Sequence, residues 1–130
     1  MTQGRISVVT GGASGIGHAT AEKLAAAGEV VVIADRNLEA AETVADSLRR
    51  SGGTVHVRAI DVADDKAVED LFDDIEVGIG PVGAVVHSAG ILQNAVTTER
   101  MDRAEADRVM DVNYRGTWSV NVAAARRMKA

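Results

Sequence analysis

Residues 10–17 read Thr-Gly-Gly-Ala-Ser-Gly-Ile-Gly and stand between a run of β-branched residues and a helical pattern. Glycine allows a backbone to take positive φ and to approach a ligand closely. The start of the helix that follows offers unpaired amides and partial positive charge, which suit a pyrophosphate. The spacing is Gly-x-x-x-Gly-x-Gly instead of the commoner Gly-x-Gly-x-x-Gly. A glycine turn that serves only tight packing is the alternative, and the flanking strand and helix favour the phosphate interpretation.

Outward from this turn, short β-branched runs alternate with helical patterns, which predicts an α/β fold built from βαβ units around a parallel sheet. The predicted strands span residues 5–10, 30–34, 54–60 and 83–87. The predicted helices span residues 16–27, a segment from the N-cap Asn37 to Gly52, and residues 64–77. A loop over residues 88–101 then leads to the capping-box pattern Asp102-x-x-Glu105 and a long helix that runs to Ala130.

Helical spacing of apolar residues predicts which face of each helix is buried. In the first helix the predicted inner stripe is Ile16, Thr20 and Leu24. In the second it is Leu38, Ala41, Ala45 and Leu48, and in the third Val68, Leu71, Phe72 and Ile75. In the last it is Val109, Val112, Gly116, Val120 and Ala123. A crossover helix normally leads to a returning strand. None follows the last helix, so we expect the chain to be cut in mid-unit.

Composition excludes several classes of function. The net charge of −5 argues against a nucleic-acid partner, which would need a basic face. Without cysteine there are no disulfides or thiolate sites, and His18, His56 and His87 lack metal-ligand spacing, so no metal site is expected. No apolar run approaches the ~20 residues of a membrane span. Residues 1–5 do not resemble a leader peptide, and we expect a cytoplasmic protein without membrane partners.

The choice of nucleotide depends on Asp35 and its neighbour Arg36. Asp35 ends the second predicted strand about 20 residues after Gly15, where a dinucleotide-binding unit places the carboxylate that binds the adenosine ribose. The same carboxylate would repel the 2′-phosphate of NADP, whereas the guanidinium of Arg36 could accept it. The carboxylate is given more weight, so the predicted cofactor is NAD. A solvated turn residue is the alternative for Asp35.

Together these residues resemble the short-chain dehydrogenase/reductase family, and the resemblance covers the whole chain. Thr10, Gly11, Gly15 and Gly17 match the family's Thr-Gly-x-x-x-Gly-x-Gly turn. The resemblance implies a Rossmann-type doubly wound parallel sheet, of which this chain supplies strands in the order 3-2-1-4 and is truncated after the fourth strand and its helix. Residues 1–130 would then form one incomplete dinucleotide-binding domain, in which Ser14 and Ile16 of the turn also bind the cofactor.

Two further segments match the family near the cofactor. Asp61-Val62 matches the acidic pair that the family places at the adenine ring, with a helix-entry aspartate as the alternative. Ala89-Gly90 matches the end of the family's Asn-Asn-Ala-Gly motif. His87-Ser88 stands where that motif has two asparagines, which puts their support of the central sheet in doubt. Ser88 could replace one hydrogen bond but has less reach.

One catalytic position of the family is matched. Residues 111–116 resemble its fourth-helix segment, and Asn113 matches the asparagine that fixes an active-site water in the proton relay. A surface asparagine placed in mid-helix is the alternative. The family's strand-5 serine and its Tyr-x-x-x-Lys pair are not found among these 130 residues. Tyr114 is the only tyrosine and is followed four residues later by Trp118, so it does not match the catalytic tyrosine.

The resemblance therefore implies the NAD-binding segment of an oxidoreductase that moves hydride between the nicotinamide and a small alcohol or ketone. The chain as given is expected to be catalytically incomplete. A non-catalytic nucleotide-binding module or sensor subunit and the remnant of a truncated gene are the alternatives. A homo-oligomer is expected, because the family often uses this last helix at its dimer interface. The substrate cannot be identified, because the family's specificity loops follow strands 5 and 6.

Overall fold

The chain alternates strands and helices as the sequence predicts; the structure, a computed structural model, describes residues 4–129. The strands are β1 (Ile6–Thr10), β2 (Val30–Asp35), β3 (Thr54–Ala59) and β4 (Val82–His87). The helices are α1 (Gly15–Ala26), α2 (Leu38–Arg50), α3 (Asp65–Gly78), α4 (Arg103–Met110) and α5 (Gly116–Met128). A 3-10 turn (Thr98–Arg100) precedes α4, and a π-helical turn (Asp111–Arg115) joins α4 to α5. No helix within residues 4–129 is long and apolar enough to cross a membrane.

The four strands form one parallel sheet in the order β3-β2-β1-β4, which confirms the predicted Rossmann-type topology. All five residues of β1 are buried, because helices cover both faces of the sheet. Ile6 and Val8 belong to the core beneath α3 and α5, while Val9 belongs to the core beneath α1 and α2. β1 is therefore the central strand, and the loops that follow β1 and β4 emerge side by side.

The predicted inner face of α1 is wrong. The buried residues are Gly17, Ala21 and Ala25, whereas the side chain of Ile16 is 80% exposed. A Cβ at residue 17 would overlap the carbonyl of Gly11, so this helix lies too close to the turn for a large side chain. Small residues face the sheet for that reason.

The inner faces of α2 and α3 are close to those predicted. In α3 all four predicted residues are buried. In α2 three of the four are buried, but Leu38 at the first position is 48% exposed and Val44 is buried as well. Leu38 follows the N-cap Asn37 directly, so the apolar spacing extends the buried face one turn too far toward the start of the helix.

The long last helix is interrupted, which the sequence did not predict. The π-helical turn separates α4, which has no buried residue, from α5, which buries Gly116, Val120, Ala123 and Ala124. Asp102 caps α4 through the amide of Ala104, but Glu105 does not complete a capping box. Its carboxylate instead accepts hydrogen bonds from the backbone and side-chain amides of Asn94 in the preceding loop. Residues 1–3 and 130, which entered the leader and helix-end expectations, lie outside the described residues.

Arg127 fastens α5 to α3. Its side chain is only 13% exposed and lies 2.6 Å from the Asp73 carboxylate and 2.9 Å from that of Glu69. The guanidinium also lies 5.6 Å from the centre of the Phe72 ring, the single aromatic side chain of the core. A partly buried guanidinium, two carboxylates that face solvent and an aromatic ring thus link these helices, and each ion pair is expected to contribute modestly because solvent screens the carboxylates.

A second polar cluster closes the opposite end of the sheet, before β1 and β2. Ser7 is fully buried in mid-strand, and its hydroxyl donates to the carboxylate of Glu29. Arg5 donates to the same carboxylate over 2.6 Å. The bond from Arg5, and after it the bond from Ser7, lowers the pKa of Glu29 below its usual range.

Replacing Glu29 with Gln is expected to lower the free energy of unfolding at pH 7 by about 1 kcal/mol, since the Arg5 side of the pair is screened by solvent. A lowered folded-state pKa stabilises the fold only above the unfolded pKa of about 4.3. The difference between wild type and Glu29→Gln should therefore shrink as pH falls through the folded pKa. Thermal unfolding followed by circular dichroism between pH 7 and 3.5 measures it. Glu22→Gln, at an exposed position, is the control, and a pH-independent difference would contradict the assignment.

Candidate functional site

A cleft of about 820 Å³ opens at the carboxyl ends of the strands. The sequence-predicted residues that line it are Gly11, Ser14, Gly15, Ile16, Asp35, Arg36, Asp61, Val62, Ala89 and Gly90. Thr10 and Gly17 are buried and do not line the cleft. The order in which the chain adds strands reverses at β1: β2 and β3 lie on one side of it, and β4 lies on the other. In open α/β sheets, ligands bind at such a switch point between neighbouring strands.

The turn between β1 and α1 is shaped by two glycines with positive φ. At Gly11, φ is +65° and a Cβ would lie 2.8 Å from the backbone of Ala89. At Gly15, φ is +55° and a Cβ would meet no atom within 4 Å. The first glycine thus lets the turn contact the end of β4, and the second leaves open space on the side that faces the cleft.

The first turn of α1 is uncapped. Asn37, Asp64 and Asp102 each accept a backbone N–H at the start of α2, α3 and α4. Ser14 makes no such bond at the start of α1, and the first turn of that helix carries no acidic residue. Because Ser14, Gly15 and Ile16 line the cleft, the first turn of α1, whose amides have no partner within the helix, opens onto this space, and such helix starts favour anions.

Thr10 lies beneath the cleft and joins the turn to the end of β4. Its buried hydroxyl accepts the amides of Ser88 at 3.1 Å and Ala89 at 3.3 Å, and lies 2.8 Å from Nδ1 of His87. Burial lowers the pKa of His87. The sequence identified Thr10 as a family match, but it gave no indication of the partnership with His87, which lies 77 residues away.

Asp35 is held in place at the end of β2. Its two carboxylate oxygens accept the amides of Ala13 at 3.1 Å and Asn37 at 2.9 Å. The first of these bonds ties the carboxylate directly to the glycine-rich turn. Arg36 beside it is exposed and also lines the cleft. A carboxylate and a guanidinium therefore stand at the same rim, with the carboxylate fixed by the backbone.

Asp61 closes the cleft at the end of β3. It accepts the amide of Ala63 at 3.0 Å and faces the guanidinium of Arg108 from α4 at 3.4 Å. The Nη2 atom of Arg108 is buried and has no partner among the described residues. Val62 is buried against Gly116, where a Cβ would lie 2.7 Å from the valine side chain. The sequence did not indicate Arg108, because the pair joins residues 47 positions apart.

Asn113 lies in the π-helical turn and pairs with the loop that follows β4. Its side-chain amide donates to the carbonyl of Ile91 at 2.7 Å and accepts the amide of Ile91 at 2.8 Å. Its own carbonyl accepts the hydroxyl of Thr117 at 2.6 Å. Single π-turns inside helices are frequent at functional sites. Here the turn aims an amide that fixes the chain just after Gly90.

A smaller cavity of about 460 Å³ lies on the outer side of the π-helical turn and α5. Its walls include Asp65, Tyr114, Trp118 and Ser119, and none of its lining residues is a predicted cofactor contact. Tyr114 and Trp118 are about two-thirds exposed. Within residues 4–129, no group of three metal-ligating side chains is placed to hold a metal ion.

Comparison with known proteins agrees with this geometry. A family model described as short chain dehydrogenase matches residues 5–130. The (-)-isopiperitenol/(-)-carveol dehydrogenase, mitochondrial, of Mentha piperita is 41% identical over 128 residues, covering 96% of this chain and 47% of that protein. The crystal structure of gox2181 superposes with a TM-score of 0.92 at 31% identity, covering 98% of this chain and 49% of that one.

A metagenomic short-chain oxidoreductase in complex with NADP superposes with a TM-score of 0.91 at 28% identity, covering 97% of this chain and 57% of that one. The chain thus spans about half the length of the relatives it matches. The match runs through the glycine-rich turn, the four strands and the interrupted last helix without leaving a described element outside it. The chain belongs to the short-chain dehydrogenase family.

Proposed function

We propose that the cleft binds NAD and that the chain is the cofactor-binding part of an oxidoreductase acting on small alcohols or ketones. The observation that carries the proposal is the uncapped start of α1, which opens onto a cleft whose rim carries the fixed carboxylate of Asp35. Free amides suit the pyrophosphate, and a carboxylate suits the ribose hydroxyls.

The residues present fit a dinucleotide. Gly15 and Ile16 would present backbone amides to the pyrophosphate, and the space beside Gly15 leaves room for it. Asp35 would accept the adenosine ribose hydroxyls, and Asp61 with Val62 would border the adenine. When bound, the cofactor supplies the hydride donor or acceptor. Asn113 keeps the loop after β4 in place at the other end of the cleft through its two bonds to Ile91.

Two side chains at the rim of the cleft bear on the choice between NAD and NADP. Backbone amides hold both oxygens of Asp35, so the carboxylate is not free to turn away from a 2′-phosphate. Arg36 is exposed, and an exposed guanidinium attracts a phosphate only weakly through solvent. One solved structure that this chain resembles is a complex with NADP, so the family includes a member that binds the phosphorylated cofactor. In this chain, the balance between the carboxylate of Asp35 and the guanidinium of Arg36 decides whether NAD or NADP binds more tightly.

Isothermal titration calorimetry should therefore show tighter binding of NAD than of NADP. Asp35→Ala should cost NAD about 1.5–3 kcal/mol, the loss of hydrogen bonds to a charged group, and narrow the gap between the cofactors. Asp35→Asn keeps one carbonyl acceptor and removes the charge, so it should improve NADP more than it harms NAD. Arg36→Ala is the matched control and should leave NAD affinity unchanged. Tighter NADP binding by the wild-type chain would show that Arg36 dominates.

We also propose that the 130 residues alone bind nucleotide without catalysing hydride transfer. Oxidising an alcohol needs a base for the hydroxyl proton, and a positioned acid or base contributes roughly 10²–10⁴-fold. Asn113 cannot take up a proton at neutral pH, and both polar atoms of its side chain are engaged by Ile91. Tyr114 points to solvent beside the outer cavity and does not line the cleft.

The expected result is no change in reduced-nicotinamide absorbance when the pure chain is incubated with NAD or NADH and a panel of alcohols and ketones. Binding measured on the same samples by calorimetry separates lost catalysis from lost affinity. Turnover that disappears in Asn113→Ala would refute the expectation and place the amide in the reaction. Turnover that disappears in Tyr114→Phe would do the same for the phenol.

Self-association is proposed through the outer face of the π-helical turn and α5. Two of the three aromatic residues of the chain, Tyr114 and Trp118, are exposed there together with Met110. Tryptophan and tyrosine are enriched among the residues that dominate binding between proteins. Asp111 and Arg115 flank them as an exposed pair 3.1 Å apart, so a two-fold arrangement would place acid opposite base.

Trp118→Gln should shift the chain toward monomer in sedimentation velocity experiments, because it removes the largest apolar group of this face. Val77→Gln is the matched control, since Val77 on α3 is even more exposed but lies away from the aromatic pair. A wild-type chain that stays monomeric at high micromolar concentration would contradict the proposal, as would equal effects of the two substitutions.

A further inference from the structure

His87 is a titratable group built into the foundation of the cleft. It ends β4, its pKa is lowered by burial, and its ring faces the buried hydroxyl of Thr10. The family motif matched by Ala89-Gly90 has an asparagine at this position, so this chain replaces a neutral amide by an imidazole. The proposed binding of NAD assigns no role to the side chain of His87.

The hydrogen-bond pattern determines which ring nitrogen carries the proton. The Thr10 hydroxyl oxygen accepts the amide of Ala89 and shares the amide of Ser88 with the Thr10 backbone carbonyl, which lies 3.2 Å from that nitrogen, so both lone pairs of the hydroxyl are used. Its proton is then available only for Nδ1 of His87 at 2.8 Å, so Nδ1 accepts and Nε2 carries the ring proton. Nε2 is buried and has no partner among residues 4–129, so the bond to Thr10 is the one side-chain hydrogen bond of the ring within these residues.

Close contacts connect Thr10 to the surface of the cleft. The amides of Ser88 and Ala89 that Thr10 holds belong to the backbone against which Gly11 packs. A Cβ at Gly11 would lie 2.8 Å from Ala89, and one at Gly17 would lie 2.7 Å from the Ser88 hydroxyl. A shift of Thr10 therefore moves the glycine-rich turn and the loop after β4 together.

We propose that neutral His87 is a positioning residue of the dinucleotide cleft. By accepting the Thr10 hydroxyl proton at Nδ1, it orients that hydroxyl toward the amides of Ser88 and Ala89 and helps to fix this backbone against the glycine-rich turn. Protonation of His87 releases the part of the hold that the hydroxyl supplies and leaves Ser88 on the Thr10 backbone carbonyl alone. An imidazolium carries a proton on both nitrogens, and a hydroxyl whose lone pairs are both used cannot accept one of them. Cofactor affinity therefore falls when His87 is protonated. The effect of His87 protonation on cofactor affinity rests on the proposed binding of NAD. The effect of His87 on the positions of Ser88 and Ala89 does not depend on that proposal.

The charged groups around His87 leave this prediction intact. Asp35, Arg36 and Asp61 line the same cleft, yet the pKa of His87 is lowered by burial and not by a charge. On α3 and α5, which pack against β4, Glu69 and Asp73 pair with Arg127. Histidine is the side chain whose ordinary pKa lies between about 5 and 8, so a pH titration over this range is suited to detect an imidazole.

The ligand-free chain gives the first test, because it does not depend on nucleotide binding. Nitrogen-15 spectra at pH 7.5 should show His87 as the Nε2–H tautomer. On acidification, the amide resonances of Ser88 and Ala89 should shift with the same midpoint as His87, below pH 6.5. In Thr10→Val, which keeps the shape and removes the hydroxyl, that coupling should vanish. An Nδ1–H tautomer, or amides that ignore the titration of His87, would overturn the proposal.

Calorimetric titration with NAD gives the second test. Wild-type affinity should fall about tenfold from pH 7.5 to pH 5, the loss of roughly one buried hydrogen bond. In His87→Asn the carbonyl oxygen stands the same number of bonds from the backbone as Nδ1, so affinity at pH 7.5 should be kept and the pH dependence lost. In His87→Leu a methyl takes that place, so affinity should be about tenfold lower at every pH.

His18→Asn and His56→Asn are the matched controls, because neither side chain lines the cleft and both should retain the wild-type pH profile. Binding that strengthens at low pH through His87 would mean that the imidazolium acts as a charge toward the pyrophosphate, which overturns the proposal. A pH profile unchanged in His87→Asn would overturn it as well. Absence of NAD binding at every pH would refute the proposed function, and the spectra of the ligand-free chain would still decide the role of His87.

Discussion

No side chain fits between the turn after β1 and the end of β4, and this contact sets the geometry of the whole cleft. Residue 11 must be glycine, because its φ is positive and a Cβ there would strike Ala89; α1 can approach the sheet closely only because residue 17 is also glycine. The two loops belong to strands that are neighbours in the sheet but far apart in the chain. Their contact brings the start of α1 and the chain after β4 to either side of one space.

Local sequence was enough to predict the elements and much of the cleft. Alternating β-branched and helical runs predicted the parallel sheet. Asp35 was identified by its spacing from the glycine-rich turn, and Asp61 by its match to the family's acidic pair; both side chains line the cleft. The inner face of α1 could not be predicted from its apolar stripe, because the criterion favours large residues and the close approach to the turn admits only small ones. The π-helical turn was missed because one extra residue in a hydrogen-bonded ring leaves apolar spacing almost unchanged.

Polar partnerships between distant residues escaped prediction for a different reason. Thr10 with His87 and Asp61 with Arg108 become neighbours only after the sheet is assembled, and no local pattern links them. Glu105 shows the same limit at short range, because the pattern that suggests a capping box does not reveal that Asn94 offers two amides instead. Hydrogen-bonding side chains have several local partners available, and the surrounding loop decides among them.

The residues nearest the proposed ligand already hold the protein in shape. Asp35 fixes Ala13 and Asn37, and Asn113 fixes Ile91, before any nucleotide arrives. A site held by its own backbone bonds pays less conformational entropy when it binds. Substitutions there change loop geometry as well as contact, so conservative replacements such as aspartate to asparagine are more informative than truncation to alanine.

The positions of the aromatic residues determine what the intrinsic fluorescence of this molecule can report. Phe72 alone lies in the core, whereas the single tryptophan, Trp118, and the single tyrosine, Tyr114, stand mostly in solvent on the outer face of the last helical run. Intrinsic emission of the native chain should already resemble that of a hydrated indole, so unfolding changes its wavelength little. Anything that covers this face will instead shift the emission to the blue. The fluorescence of Trp118 therefore reports on contacts at this surface and hardly at all on the packing of the core.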